Sequence, residues 1–591
     1  MFYDIAIIGA GPSALAVAAR LHESTPSALF TNDEHARYWK KYKQQRNRLE
    51  SERKRRKSSV DSVNISQAEN IGDPGLDRPS MIVLDAHSDQ WLSAWKKRFR
   101  DLKISHLRSP LFFHPDPRDR DGLLAFAHEH NRTDELHEIP NVAGKELSKH
   151  EKKKQHSRKR NRPVVRHLKI DGRDRMDYFN PSSQLFEDYC EYIIDRYKLR
   201  NLVHRAQVLD ITYDTETQNT RHGLFTVKTS TSSTILSRIV VVATGPSTVP
   251  AAPGIPPFEA RGQSPCSMTH VFQPNGTHLP PALHHKIMTT SYPIKILIVG
   301  GGLTSAQVVH LLLHRYRKQQ NFKIHLLLRH SRLKVKPFDI DLPWVSKTRN
   351  YFMASFYSAE SDEERLSMLA QARNGGSVTP QFAKLLQNYE AEGRLKIHTD
   401  TEIELDRNTT WDSDQQEWRN LRFKNSNEAS GCGADVIRRD LPGTAHHIIF
   451  CTSSTPSLPH ISFLRNLQET HPLRALSGLP ILTEDLAWSD GVPCFFTGVL
   501  AALRLGPGAA NLMGARIGAE RIAWAVEASL VKAANIHPCK SSAEEHQEHN
   551  DRAIADKERE GSADSSDFTG SFTNQFAVLS LDGDPIRRGR F

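Results

Sequence analysis

The chain has 591 residues, 38% of them hydrophobic and 25% charged, and a net charge of +11. That length allows two or more domains, while the modest apolar fraction implies that part of the chain is not packed into a core. No apolar stretch reaches the roughly 18 residues of a membrane-crossing helix. The N-terminus, MFYDIAIIGAG, lacks the basic start and cleavage site of a signal peptide. Cysteines at 190, 266, 432, 451, 494 and 539 form no Cys-x-x-Cys pair. This excludes zinc-knuckle and dithiol–disulfide chemistry, predicts no metal site and suits a reducing, cytoplasmic compartment.

In chain order, residues 3–8 form an apolar run ending at Gly9, and residues 12–22 carry small and apolar residues at helical spacing. Ala28-Leu29-Phe30 reads as a second strand. A polar insertion, about 40–78, follows, and order resumes at Met81–Leu84. Residues 91–99 and 182–197 have helical periodicity, and 223–228 and 238–243 read as strands, the second ending in Ala243-Thr244-Gly245. A proline-rich connector, 250–257, marks a domain junction. A second strand–glycine–helix unit starts at Ile294. Apolar strands recur at 447–451 and 495–498, and 511–527 reads as a closing helix before an acidic, Ser- and Gly-rich tail, expected to be disordered.

Much of the positive charge lies in two runs, 38–57 and 149–162. The first carries aromatics only at its start, Tyr38, Trp39 and Tyr42, and the second none, so both read as solvated insertions and no nucleic-acid partner is expected. A nuclear-localisation role for one of them is the alternative.

Two glycine turns carry the chemistry. Gly9-Ala10-Gly11-Pro12-Ser13-Ala14 follows a strand and opens a helix. The first glycine permits the tight turn, the second lets backbone approach a pyrophosphate, and a small third residue, Ala14, lets the helix pack close. The acid expected after the second strand would be Asp33 or Glu34, with Thr31 directly after Phe30. The second turn, Gly300-Gly301-Gly302-Leu303-Thr304-Ser305, follows Ile294–Val299. Its next strand ends in Arg329-His330-Ser331-Arg332 instead of an acid. Arginines there bind a 2′-phosphate that a carboxylate would repel. The pair therefore predicts FAD at the first turn and NADPH at the second.

The expected fold is α/β, with two Rossmann-like dinucleotide-binding domains: an FAD domain in two parts, 1–257 and 456–535, around an inserted NAD(P)H domain, 258–455. Insertions at about 40–78 and 148–163 and the tail 536–591 lie outside these cores.

With those residues in view, the chain resembles the flavin-containing monooxygenase-like flavoproteins, which include the lysine and ornithine N-hydroxylases. Within them it looks most like the oxidative-stress-induced growth inhibitor family and its fungal relatives. The resemblance is carried by His106–Pro115 (HLRSPLFFHP), Ala243-Thr244-Gly245, the Gly300 turn, Lys336-Pro337-Phe338-Asp339 and Leu505–Leu512 (LGPGAANL). It implies Arg108 and Ser109 near the flavin ring and Gly245 at the exit from the flavin domain. Gly498, Gly506, Asn511 and Leu512 would return to the flavin. His270, after Phe258 and Gly262, stands in a stretched form of the monooxygenase fingerprint; a hydrogen-bonded linker histidine is the other reading, as an ion-pair role is for Arg108.

The implied chemistry is hydride transfer from NADPH to flavin, formation of a C4a-hydroperoxyflavin with molecular oxygen, and oxygenation of a small nucleophilic substrate, N-hydroxylation or similar. Two alternatives stay open: an uncoupled NADPH oxidase, and a regulatory protein that keeps the fold without turnover. Substrate and oligomeric state are not legible.

Overall fold

The computed structural model describes residues 1–23, 79–139, 142, 177–215, 223–245, 267–273, 275–346, 348–405, 408–425, 441–452 and 457–535. Residues 28–30, both basic runs, the connector 250–257 and the tail lie outside them. Met1–Val526 form one compact unit, and Glu527–Phe591 separate as another.

The chain first builds most of one sheet. Strand β1 (Phe2–Ile8) leads into helix α1 (Pro12–His22), and β2 (Met81–Asp85) into α2 (Ser93–Asp101). Helix α3 (Ser183–Arg196) precedes β3 (Val203–Arg205), β4 (Val208–Asp214), β5 (Leu224–Thr229) and β6 (Thr234–Val242). It then builds a second sheet: β7 (Met268–His270), β8 (Ile294–Val299), α4 (Leu303–Arg315) and β9 (Phe322–Leu327). Helices α5 (Arg349–Tyr357), α6 (Asp362–Arg373) and α7 (Pro380–Ala391) lead to β10 (Leu395–His398) and β11 (His447–Phe450). The return adds β12 (Ala487–Ser489), β13 (Val492–Phe496) and α8 (Leu512–Asn535).

Among the described residues the first sheet runs β12-β13-β6-β1-β2-β3, with β4 and β5 attached through β6. Its centre is parallel: Ile8 lies beside Leu84 on one side and Val242 on the other. The second runs β10-β9-β8-β11-β7, all parallel. Strands covered on both faces need continuous rather than alternating apolar sequence. Ile5–Ile8 and Ile296–Ile298 supply it, nearly all of them fully buried. Helix α1 packs close because its inner residues, Ala14, Ala16, Ala18 and Ala19, are small and buried. Pro12 at its first turn forfeits no hydrogen bond.

The strand beside β1 is therefore Met81–Asp85, not a segment directly after α1, and its last residue is an acid. Residues 24–78 intervene between α1 and that strand, which hides the usual spacing of a second strand from its helix.

Candidate dinucleotide cleft

Both glycine turns are built alike. Gly9 has φ +100°, and a methyl group there would lie 2.6 Å from the Ala243 carbonyl oxygen. Gly300 has φ +142°, and its methyl would lie 2.7 Å from the Cys451 carbonyl oxygen. In each case the turn presses against the residue that ends the neighbouring strand, so only glycine fits. The Gly9 N–H donates to Leu84 O at 2.7 Å and that of Gly300 to Leu327 O at 3.1 Å.

The helices behind the turns also match. The N-caps of α1 and α4 are Gly11 and Gly302, and neither offers a side-chain cap. Elsewhere Ser182, Ser361 and Thr379 cap α3, α6 and α7 through their hydroxyls. The first-turn N–H groups of α1 and α4 are thus left for an anion. A Cβ on Gly11 would meet nothing within 4 Å, whereas Gly302 backs onto Gly376 at 3.9 Å.

The two turns face one cleft of about 1790 Å³. That exceeds a typical small-ligand pocket of roughly 300–1,000 Å³ and gives room for two dinucleotides. Of the residues singled out in the first turn, Gly9, Gly11, Pro12 and Ser13 line it; from the second, Gly300, Gly302, Thr304 and Arg329 do. Arg108, Ser109, Gly245, Gly498, Asn511 and Leu512 line it as well. Ala14 and Ser305 are instead buried in their helices, with the Ser305 hydroxyl donating to Gly302 O at 2.7 Å. Arg332 and Gly506 do not line the cleft; Gly506 has φ +79° and packs against Met353. Asp33 and Glu34 lie outside the described residues.

The acid that does stand at this turn is Asp85. One of its oxygens accepts from Ala10 N at 3.1 Å, and the other from His87 N at 2.9 Å and Ser88 N at 3.2 Å. A carboxylate offers about four lone-pair sites, so one stays available toward the cleft that Asp85 lines. The readable signal was an apolar run closed by an acid, Met81-Ile82-Val83-Leu84-Asp85.

At the second turn the charge is reversed. Arg329 is largely exposed, 4.0 Å from Glu402. Burial and then the charges of Lys336, Arg332 and Arg329 push the Lys334 ammonium pKa down. The neighbouring His330 is lowered too, by burial, Lys334 and Arg329. These cations repel one another, and an anion among them relieves that repulsion.

Arg108 is committed elsewhere. Its guanidinium donates to the carbonyls of Lys336 (2.9 Å), Pro337 (3.2 Å), Phe338 (2.6 Å) and Ser377 (3.3 Å), and to the Ser377 hydroxyl (2.9 Å). Burial lowers its pKa to about 10, with Asp339 opposing. Asn511 is held in the same knot: its amide donates to Asp339 at 3.0 Å, and Arg373 reaches Asp339 at 3.3 Å. The His106–Pro115, Lys336–Asp339 and Leu505–Leu512 segments thus converge on one junction. Sequence reasoning found all three segments but not that they bind one another.

His270 is hydrogen-bonded at the end of a strand. It ends β7, is 3% exposed, lies 3.0 Å from Thr452 O through Nε2, and accepts from Phe272 N at 3.2 Å. Phe258 and Gly262 lie outside the described residues. No helix among the described residues is long and apolar enough to cross a membrane, and no group of His, Cys, Asp and Glu among them is arranged to hold a metal.

Residues 173–436 match the family model described as L-lysine 6-monooxygenase/L-ornithine 5-monooxygenase. Three similar solved structures cover 89–90% of the chain. They are the FAD-bound cadaverine monooxygenase DfoA of Erwinia amylovora (13% identity, TM-score 0.52, 95% of its length), the ornithine N-hydroxylase KtzI of Kutzneria sp. 744 (15%, 0.52, 100%), and the ornithine hydroxylase PvdA of Pseudomonas aeruginosa (16%, 0.53, 100%). Comparison with curated protein sequences gave no match. The chain thus shares the fold of these solved monooxygenases, and its residues 173–436 match the lysine/ornithine monooxygenase family model.

Proposed function

We propose that this chain is an FAD-dependent, NADPH-using monooxygenase that N-hydroxylates a small amine with molecular oxygen. The observation that carries the reading is the single cleft shared by two glycine turns, one beside an acid and one beside a basic cluster. The open space at Gly11 and the uncapped start of α1 suit the FAD pyrophosphate, and Asp85 suits an adenosine ribose. The start of α4 suits a second pyrophosphate, with Arg329 near a 2′-phosphate. FAD supplies hydride acceptance and oxygen activation when bound.

The protein's own part is positioning and exclusion of water. The Arg108–Asn511–Asp339 junction holds the nicotinamide-side domain against the flavin-side one. Apolar residues from both sides, including Leu107, Leu366 and Phe463, line the cleft and limit solvent access.

The test begins with the FAD-loaded protein reduced anaerobically by NADPH and then exposed to air with L-ornithine, L-lysine or cadaverine. The expected result is bleaching of the flavin bands and a hydroxylamine product formed in proportion to NADPH. Hydrogen peroxide stoichiometric with NADPH for every amine would make it an oxidase. No flavin binding at all would end the enzymatic reading.

A further inference from the structure

One wall of the cleft belongs to neither strand–turn–helix unit. Helix α6 packs there against the short helix Ala502–Leu505 and against the hairpin of Ala475–Leu476 and Leu479–Pro480. That hairpin packs in turn on Gly498–Ala501. Each segment turns apolar side chains to the cleft: Leu366, Leu369 and Ala370 from α6, Leu479 from the hairpin, and Val499 and Ala502 from the third. Gly498 fixes the place of this wall. A Cβ on it would lie 4.0 Å from the Ser13 hydroxyl, so Val499 adjoins the first glycine turn.

The apolar character is built into the sequence of α6. Leu366, Leu369 and Ala370 stand three and four residues apart and so share one helix face. Leu369 is buried, whereas Leu366 is half-buried and Ala370 is exposed. Part of the stripe therefore faces open cleft instead of packed neighbours.

The charges on the same elements are used elsewhere. Asp362, at the start of α6, pairs with Arg365 at 2.8 Å and with Arg504 at 2.5 Å. Arg504 also donates to the Leu482 carbonyl at 2.8 Å. None of the three lines the cleft. Arg373 continues the stripe and does line it, but it is paired with Asp339 at 3.3 Å. Ser462 and Phe463 add a hydroxyl and a ring to the lining. A second charged group on a ligand lodged against this wall would lose its hydration without gaining an ionic partner among these segments. Each methylene there would instead gain by leaving water.

We propose that this wall holds the body of the substrate, and that the body is hydrocarbon: an apolar monoamine in place of an amino acid or a diamine. The proposal rests on the oxygenase reading of the cleft and narrows its amine to one with a single charged end. The selectivity comes from desolvation, since the wall accepts a chain and rejects a second charge.

The experiment reads binding separately from turnover. Protein loaded with FAD and oxidised NADP is titrated calorimetrically with butylamine, hexylamine, octylamine, cadaverine and L-lysine. Hexylamine and cadaverine are equal in length and differ only in whether the far end is a methyl or an ammonium group, so their comparison isolates the second charge. Each added methylene is expected to tighten binding roughly threefold to fourfold. Hexylamine is expected to bind at least about tenfold more tightly than cadaverine or L-lysine. Ala370→Phe fills part of the space beside the wall and should weaken octylamine more than butylamine. Leu366→Glu should close the gap between hexylamine and cadaverine by giving the far ammonium a partner. Melting temperatures check that both variants fold, and the wild-type series decides by itself should either melt early.

Cadaverine or L-lysine bound as tightly as hexylamine, no gain along the alkylamine series, or preferences unmoved in both folded variants would overturn the proposal. Binding that tightens with chain length but yields no hydroxylamine would leave the apolar wall standing and sink the oxygenase reading. Hydroxylation of L-lysine or cadaverine with no gain along the alkylamine series would do the reverse.

Discussion

The two glycine turns are nearly superposable in design and opposite in electrostatics. Each presses its first glycine against a carbonyl at the end of the neighbouring strand, Ala243 or Cys451, and each opens a helix capped only by glycine. They differ in what ends the adjacent strand, Asp85 beside one and the Arg329–Lys334 cluster beside the other. On the proposed reading, backbone shape suits both turns to a pyrophosphate, and the charge a few residues away selects the dinucleotide. Steric and electrostatic selection are thus separable here, and mutations can take them apart.

The largest effect is expected at the first glycines. Gly9→Ala forces a methyl group into backbone at a positive φ, a strain of roughly 2–4 kcal/mol. It should abolish flavin retention, read from the absorbance spectrum. Gly300→Ala should leave flavin bound but remove its reduction by NADPH. If both variants lost flavin equally, the turns would not act independently.

Next comes the junction between the two halves. Arg108→Met leaves four carbonyls and a hydroxyl without their donor, at a cost of about 2–4 kcal/mol, visible as a lowered melting temperature. Arg108→Lys should recover little, since an ammonium cannot span the same fork of acceptors. Full recovery by lysine would reduce Arg108 to a simple charge.

A smaller effect separates the charges. Asp85→Asn should weaken FAD binding with little change in the KM for NADPH. Arg329→Ala should raise the KM for NADPH roughly tenfold while leaving NADH nearly untouched, a loss of about 1.4 kcal/mol. Equal effects on NADPH and NADH would remove the 2′-phosphate assignment.

The subtlest contrast is in acid. Burial pushes His325, His446 and His447, in or beside the second sheet, down to about 4, and His114, in the flavin-side segment, likewise. His446 Nε2 and His447 Nδ1 have no hydrogen-bond partner to receive an added proton. The unfolded chain, with histidines near 6.5, takes up protons first as pH falls. The stability these groups contribute is present above about pH 6.5 and lost toward pH 4. More of them belong to the second sheet, so acid should weaken NADP binding before it releases flavin. His447→Asn should flatten the dependence of melting temperature on pH in that window; an unchanged slope would count against buried neutral histidines as its cause.

What the sequence determined by itself was local. Apolar runs ending in Gly9 and Gly300 specify strand, turn and helix, because the close backbone approach admits no side chain. The basic Arg329–Arg332 stretch was legible for the same reason, lying next to its strand. Tertiary structure alone decided what joins across the chain. Asp85 became the acid beside the first turn only when β2 paired with β1 across an insertion that conceals the spacing. Arg108 and Asn511 took their partners from Lys336–Asp339, more than 150 residues distant from either. Hydrogen bonds and desolvation depend on distance in space, and separation along the chain does not encode it.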